Sequence, residues 1–258
     1  MTLTDAELER YARHIVLREV GGAGQTRLRS ATVAVIGAGG IGSPAIQYLA
    51  AAGIGRLIVI DDDLVELSNL QRQTLFGDED IGVAKVDGAA RAVARLNPGV
   101  VVEAHRERID ASNARALIAD AQVVLDGTDN FATRLAVADA ALAARIPLVS
   151  AAAGQFEGQL GLFRGWEPDK PCYRCFVGTD PDRAETSCAE AGVLGAMTGV
   201  MGSLAALEAM RAITGFGEDS AGKLLLVDAL AFRFRTISLP KDPGCRHCSQ
   251  VGSTYASE

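Results

Sequence analysis

The chain has 258 residues, enough for one large α/β domain or a domain with a lobe, and 48% of them are hydrophobic, enough for a sizeable core. The net charge of -7 argues against a nucleic-acid or anionic-membrane surface. The N-terminus MTLTDAELERYARH has no signal-peptide pattern. The uncharged stretch Ala191 to Leu207 is shorter than the roughly 20 residues of a membrane span, so the expectation is a soluble, cytoplasmic protein.

Thr4-x-x-Glu7 is a capping box and predicts a helix from near Asp5, with Leu8, Tyr11 and Ile15 on one face and an end before Gly21-Gly22. By spacing alone, Arg10, Arg13 and Arg18 read as a solvated face.

Val33 to Ile36 reads as a buried strand. It breaks at Gly37-x-Gly39-Gly40-x-Gly42, and a helix with Ile46, Leu49 and Ala50 at helical spacing follows. A second apolar run, Leu57 to Ile60, ends on Asp61. Strand, glycine turn, helix and strand, with an acid roughly 20 residues past the turn, match a dinucleotide-binding fingerprint. The glycines let backbone N–H groups approach phosphate at a helix N-terminus, and Asp61 is placed to accept from ribose hydroxyls. An adenine nucleotide is favoured. From these residues NAD, FAD and ATP all remain open.

The polar segment from Asp62 to Gln73 is too long for a tight connection and is expected to line a crevice beyond the strand ends. A helix is expected from about Asp80 to Leu96, ended by Asn97-Pro98. Lys85 in its first turns opposes the helix dipole unless an anion lies opposite, so a phosphate-facing lysine and an ordinary exposed one stand level. Val100 to Ala104 reads as a third strand, a helix is expected around Asn113 to Ala119, and Val123 to Asp126 reads as a fourth strand. Asp129 is placed to cap a helix from Phe131 to Arg145, with a metal- or phosphate-facing role as the alternative. Pro147 to Ser150 reads as a fifth strand. The alternation predicts a Rossmann-like, doubly wound α/β fold with a mostly parallel sheet, its nucleotide-binding half ending at about residue 153.

From about residue 154 to 250 the texture changes. Gln159 to Phe163, Lys223 to Val227 and Phe232 to Ile237 alternate and predict antiparallel strands extending the sheet. A long helix, about Gly192 to Ile213, carries glycines at 192, 195, 199 and 202 on one face. Each costs about 1 kcal/mol relative to Ala, so another helix or a second subunit should approach closely there.

Cys172-x-x-Cys175 and Cys245-x-x-Cys248 supply the four thiolates of a closed, structural zinc site. A redox dithiol would not explain two pairs. His247 reads as a bystander, and Cys188 as an unreactive or buried thiol.

Assembled, these residues resemble the HesA/MoeB/ThiF family of adenylating enzymes, which activate ubiquitin-like sulfur carriers and share a fold with ubiquitin-activating enzymes. The resemblance runs from about Arg10 to Cys248. It is carried by Arg10-Tyr-x-Arg13-x-Ile15, the glycine turn, Ser68-Asn69-Leu70-Gln71-Arg72, Gly82-x-x-Lys85, Asp126-x-Thr-Asp129-Asn130, Glu157-Gly-Gln159 and both cysteine pairs. It implies an ATP site in which Gly37, Gly39, Gly40 and Gly42 hold phosphates and Asp61 holds the ribose. Ser68, Asn69, Leu70, Gln71, Arg72 and Lys85 surround the phosphates, and Asp129 with Asn130 places Mg2+. Arg13, Arg72, Lys85 and Asp129 are the implied catalytic groups, Arg13 reaching the other subunit of a homodimer.

The implied reaction is adenylation of the C-terminal Gly-Gly carboxylate of a ubiquitin-like sulfur-carrier protein, giving acyl-adenylate and pyrophosphate. Gln71-Arg72-Gln73-Thr-Leu and Pro243-Gly-Cys245 lean towards the molybdenum-cofactor branch, with the thiamine branch as the alternative. The sequence ends ten residues after Cys248. The expectation is that no rhodanese-like domain follows and that a separate protein donates the sulfur. Neither nucleic acid nor membrane is an expected partner.

Overall fold

The computed structural model describes residues 3–178 and 192–249, so the reading of Cys188 lies outside the described residues. The Thr4–Glu7 box forms reciprocally: Glu7 N donates to Thr4 Oγ1 at 3.3 Å and Thr4 N to Glu7 Oε2 at 2.8 Å. It starts α1 (Asp5–Arg10). The expected unbroken helix to Ile15 does not form. The backbone leaves helical geometry at Tyr11 (φ -100°, ψ 13°), whose buried hydroxyl accepts from Asn97 Nδ2 at 2.8 Å, and α2 (Ala12–Ile15) follows. Gly21 opens a further helix, α3 (Gly21–Ser30).

The strands are β1 (Thr32–Ile36), β2 (Arg56–Ile60), β3 (Val101–His105), β4 (Val123–Asp126), β5 (Leu148–Ala153), β6 (Glu157–Phe163), β7 (Lys223–Asp228) and β8 (Arg233–Ser238). They form one sheet in the order β3-β2-β1-β4-β5-β6-β7-β8. The first five pair parallel and the last three antiparallel. The helices are α4 (Gly42–Ala51), α5 (Lys85–Leu96), α6 (Ala114–Leu117), α7 (Phe131–Ala144), α8 (Tyr173–Val177) and α9 (Gly195–Thr214). Alternate residues of each parallel strand enter different cores. Val33, Val35, Leu57, Val59 and Leu125 pack with α4, α5 and α9, whereas Ala34, Ile36, Ile58, Ile60 and Val124 pack with α6 and α7. Both faces are thus covered, which is why these strands read as continuous apolar runs.

Three local expectations are corrected. The helix expected from Asp80 begins at Lys85, because Asp78–Asp80 make a single 3-10 turn and Gly82 takes φ 83°, incompatible with helix. The cap of α7 is Asn130, whose Oδ1 accepts from Thr133 N at 2.9 Å, so Asp129 is not the cap. The glycine stripe is only half a contact surface. A Cβ at Gly202 would lie 2.2 Å from Ile41 O, and one at Gly195 2.2 Å from Gln71 O. Gly199 meets nothing within 4 Å, and Gly192 precedes the helix. The close partner is the N-terminal end of α4 with the loop before residue 73. Among the described residues, no helix is long and apolar enough to cross a membrane.

Candidate active site and metal centre

β1 and β4 are parallel neighbours, but the chain leaves β1 towards β2 and returns to β4 on the other side. At such a switch point the loops beyond the strand ends diverge and leave a crevice. Here it is a cavity of about 590 Å³ lined by Gly37, Gly39, Gly40, Asp61, Asn69, Arg72, Lys85, Asp129 and Asn130. Gly42 lies beneath the turn rather than in the cavity wall, and a Cβ there would meet Gly37 O at 1.9 Å. Ser68, Leu70 and Gln71 do not line the cavity. They shape the turn that presents Asn69 and Arg72, with Arg72 Nη1 donating to Ser68 O at 3.0 Å. Arg13 is exposed on α2 and does not line this chain's cavity.

Asp61 holds the glycine turn in place. Its Oδ2 accepts from Ala38 N at 2.7 Å and its Oδ1 from Asp63 N at 2.9 Å. Burial pushes its pKa above the ordinary value, working against the Lys85 charge and both N–H donors. Lys85, the first residue of α5, is buried and donates to Asp63 Oδ2 at 2.6 Å. The anion facing this lysine in the crevice is therefore a carboxylate.

The loop after β4 is fastened on both flanks. Asp126 Oδ1 accepts from Thr128 N at 3.0 Å and Thr128 Oγ1 at 2.7 Å. Arg134, one turn into α7, reaches back under the loop: Nη2 donates to Thr128 O and, at 2.8 Å, to Ala151 O, and Nη1 donates to Ser150 Oγ at 3.2 Å. Burial disfavours this guanidinium charge, but Asp126, Tyr173 and Asp129 around it together outweigh that and hold its pKa above the ordinary arginine value. Asp129 projects exposed between the two fastened neighbours, Thr128 and Asn130.

Sequence reasoning expected Gln73 only as part of a crevice-lining loop, and gave no site role to the wall residues Arg134, Tyr173 and Thr198, among others. Gln73 is buried with Oε1 lacking a protein partner. Thr198 sits on α9 so close to the turn that a Cβ on Gly40 would be 3.0 Å from its Oγ1. Arg134 was visible only as the residue four after the cap, a position that points back over the helix start. Tyr173 was hidden inside a cysteine motif.

The four knuckle cysteines converge. Cys172 Sγ lies 3.7 Å from Cys175 Sγ and 3.6 Å from Cys245 Sγ, and Cys175 Sγ lies 3.6 Å from Cys248 Sγ. Zn–S bonds of about 2.3 Å set tetrahedral S–S edges of about 3.8 Å, so this donor set fits a zinc ion. No disulfide joins any two of them.

The family profile described as ThiF family matches residues 11–247. The chain belongs to the ThiF family. Among ThiF-family relatives, the molybdopterin-synthase adenylyltransferase of Escherichia coli is 43% identical over 248 residues, covering 96% of this chain and 99% of that one. The sulfur carrier protein adenylyltransferase of Thermus thermophilus is 45% identical over 254 residues, covering 96% and 93% respectively. A crystal structure of E. coli MccB with succinimide matches at TM-score 0.81 and 23% identity, covering 93% of this chain and 74% of that chain. That likeness shows the fold: the ThiF-family sheet with its antiparallel extension.

Proposed function

We propose that this chain is an ATP-dependent adenylyltransferase. Its substrate is the C-terminal Gly-Gly carboxylate of a ubiquitin-like sulfur-carrier protein, in the molybdenum-cofactor branch to which the E. coli relative's name points. The observation that carries the reading is the convergence of the glycine turn, Asp61, Arg72, Lys85 and Asp129 on one switch-point cavity. A carrier carboxylate oxygen bonds to the α-phosphorus of ATP and the bond to the β-phosphate oxygen breaks. Acyl-adenylate and pyrophosphate result. Negative charge builds on phosphate oxygens, so fixed cations suffice and little acid–base chemistry is required.

Asp61 takes the ribose, Arg72 and Lys85 the phosphates, and Asp129 a Mg2+ ion, which neutralises phosphate charge when bound. Residues 1–153 form the nucleotide half and residues 154–250 the carrier and zinc half. Arg13, exposed and away from this chain's cavity, acts in the partner's site of a homodimer. A separate protein donates sulfur to the acyl-adenylate. Cysteines gathered as one metal-ligand set rather than paired in disulfides suit a reducing cytoplasm.

ATP–pyrophosphate exchange tests the reading. It is expected only with a carrier ending in Gly-Gly, and its absence with every such carrier sinks the proposal. Mixing Arg13→Ala with Asp129→Ala protein should partly restore exchange if the subunits share sites.

A further inference from the structure

The contact between Asp63 and Lys85 is built by the backbone. A short antiparallel bridge pairs Leu64 with Ala84, and Val65 N donates to Val83 O at 2.8 Å. One step along, Lys85 N donates to Asp63 O at 3.0 Å, so these two residues face each other across the ladder. On its other side Asp63 is held by its N–H, which donates to Asp61 Oδ1 at 2.9 Å. The side chains then meet: Lys85 Nζ lies 2.6 Å from Asp63 Oδ2 and 4.0 Å from Asp61 Oδ1. Both residues line the crevice, which is no cationic funnel. Among the described residues its wall carries five carboxylates against four lysine or arginine side chains. One of those four, Arg134, already has Asp126 at 3.7 Å.

We propose that Asp63 is a displaceable counter-ion that competes with phosphate groups for Lys85, and so lowers the affinity of the crevice for free anions such as the product pyrophosphate. A phosphate that reaches Lys85 must take the ammonium from a carboxylate that the ladder has already set against it. That carboxylate can yield by side-chain rotation, since it is exposed and returning it fully to water costs little. Its backbone stays in the ladder, so it remains within reach and reclaims the ammonium when the phosphate leaves. A free anion therefore gains Lys85 only by breaking an ion pair, and does so inside a wall with more negative than positive groups. A whole nucleotide offsets this opposition with its base and ribose contacts, whereas pyrophosphate has none to offer. The inference rests on the adenylation reading for the identity of the anion, and on the ladder and the ion pair for the competition itself.

Calorimetry of inorganic pyrophosphate binding to the full chain, at low salt and without magnesium or carrier, tests it. Asp63→Asn removes the charge but keeps an oxygen that can accept from the ammonium. It should bind pyrophosphate roughly fivefold more tightly than wild type, the scale of one partly exposed ion pair. Asp62→Asn deletes an equal charge from the same wall, at a residue that is not an ion-pair partner of Lys85. It should change the affinity by less than about twofold, as expected of a solvent-screened charge. In a Lys85→Met background, Asp63→Asn should do no more than Asp62→Asn, because the competition runs through the ammonium. One measurement needs no variant to fold: in the wild type, the carbon resonance of the Asp63 carboxylate should shift on pyrophosphate titration with the calorimetric midpoint. Equal or weaker pyrophosphate binding by Asp63→Asn overturns the proposal, as does an unmoved Asp63 resonance at saturation. So does an equal gain in Asp62→Asn, which would mean general relief of repulsion. Binding by neither wild type nor Asp63→Asn overturns it together with the phosphate-site reading. The expected affinities without carrier-dependent exchange would defeat the adenylation reading alone.

Discussion

The Lys85 ammonium lies 2.6 Å from the Asp63 carboxylate, yet the two side chains differ sharply in exposure, 6% for the lysine and 64% for the aspartate. The cation is desolvated and its partner is not. An incoming phosphate can replace an exposed carboxylate at low cost, whereas the lysine has nowhere else to go. The pairing thus keeps a buried positive charge satisfied and beside the cavity.

Lys85→Met keeps the packed stem and deletes the charge. ATP–pyrophosphate exchange should fall by about 100-fold or more, the scale of losing one preorganised charge on a developing anion. The melting temperature should change by only a few degrees. Exchange at the wild-type rate would remove Lys85 from the phosphate site.

Asp61 carries a pH signature. Its folded pKa is raised above 3.8, chiefly by burial. The folded state therefore favours the protonated acid, and ionising Asp61 subtracts stability. That penalty is complete above the raised pKa and is relieved as pH falls from there towards 3.8. Asp61→Asn should remove this pH-dependent component, while losing one of the two backbone N–H acceptors that hold the glycine turn and lowering ATP affinity. Melting curves of both proteins across pH 3.5 to 7, on the order of the interval spanned by carboxylate titration, check it. Melting curves for Asp61→Asn with the same pH dependence as the wild type would contradict the direction.

Helix α9 offers two glycines with opposite expectations. Gly202→Ala drives a Cβ into Ile41 O and should cost about 1–3 kcal/mol by overpacking. Gly199→Ala has open space and should stabilise by up to about 1 kcal/mol through helix propensity. Denaturant titration of the two variants distinguishes them by sign.

Metal analysis should return about one zinc per chain, and Cys245→Ser should lose it. Thermal melts of that variant should begin several degrees lower, since metal binding to a set of thiols gathered only in the fold is folding energy. Retention of full zinc by Cys245→Ser would show that the four thiolates do not act as one site.

Much of this arrangement was legible because each signal was local. The glycine turn, the apolar strands and the acid at Asp61 follow one another within thirty residues and fall where period and spacing put them. The two cysteine pairs were legible for another reason: thiol pairs have few other uses. What failed was resolution at boundaries. Tyr11 breaks a helix because its hydroxyl is bound by Asn97 from far along the chain, and no window around Tyr11 contains that fact. Asp129 and Asn130 are both good caps, and which one serves depends on the loop geometry fixed by Arg134 and Asp126. Gly199 and Gly202 are indistinguishable by spacing, and only the course of α4 separates them.

The cysteine knuckle also has a topological meaning. Cys172 and Cys245 are 73 positions apart in the chain, and α9, β7 and β8 lie on the stretch between them. With metal bound, that stretch is a closed ring fused to the parallel sheet. Ring closure restricts the unfolded chain, and its entropic effect grows only slowly with ring size, so insertions within the ring would weaken the clasp little. A single peptide-bond cut inside the ring would yield two fragments on a denaturing gel and one particle in native mass measurement, until a chelator opened the clasp.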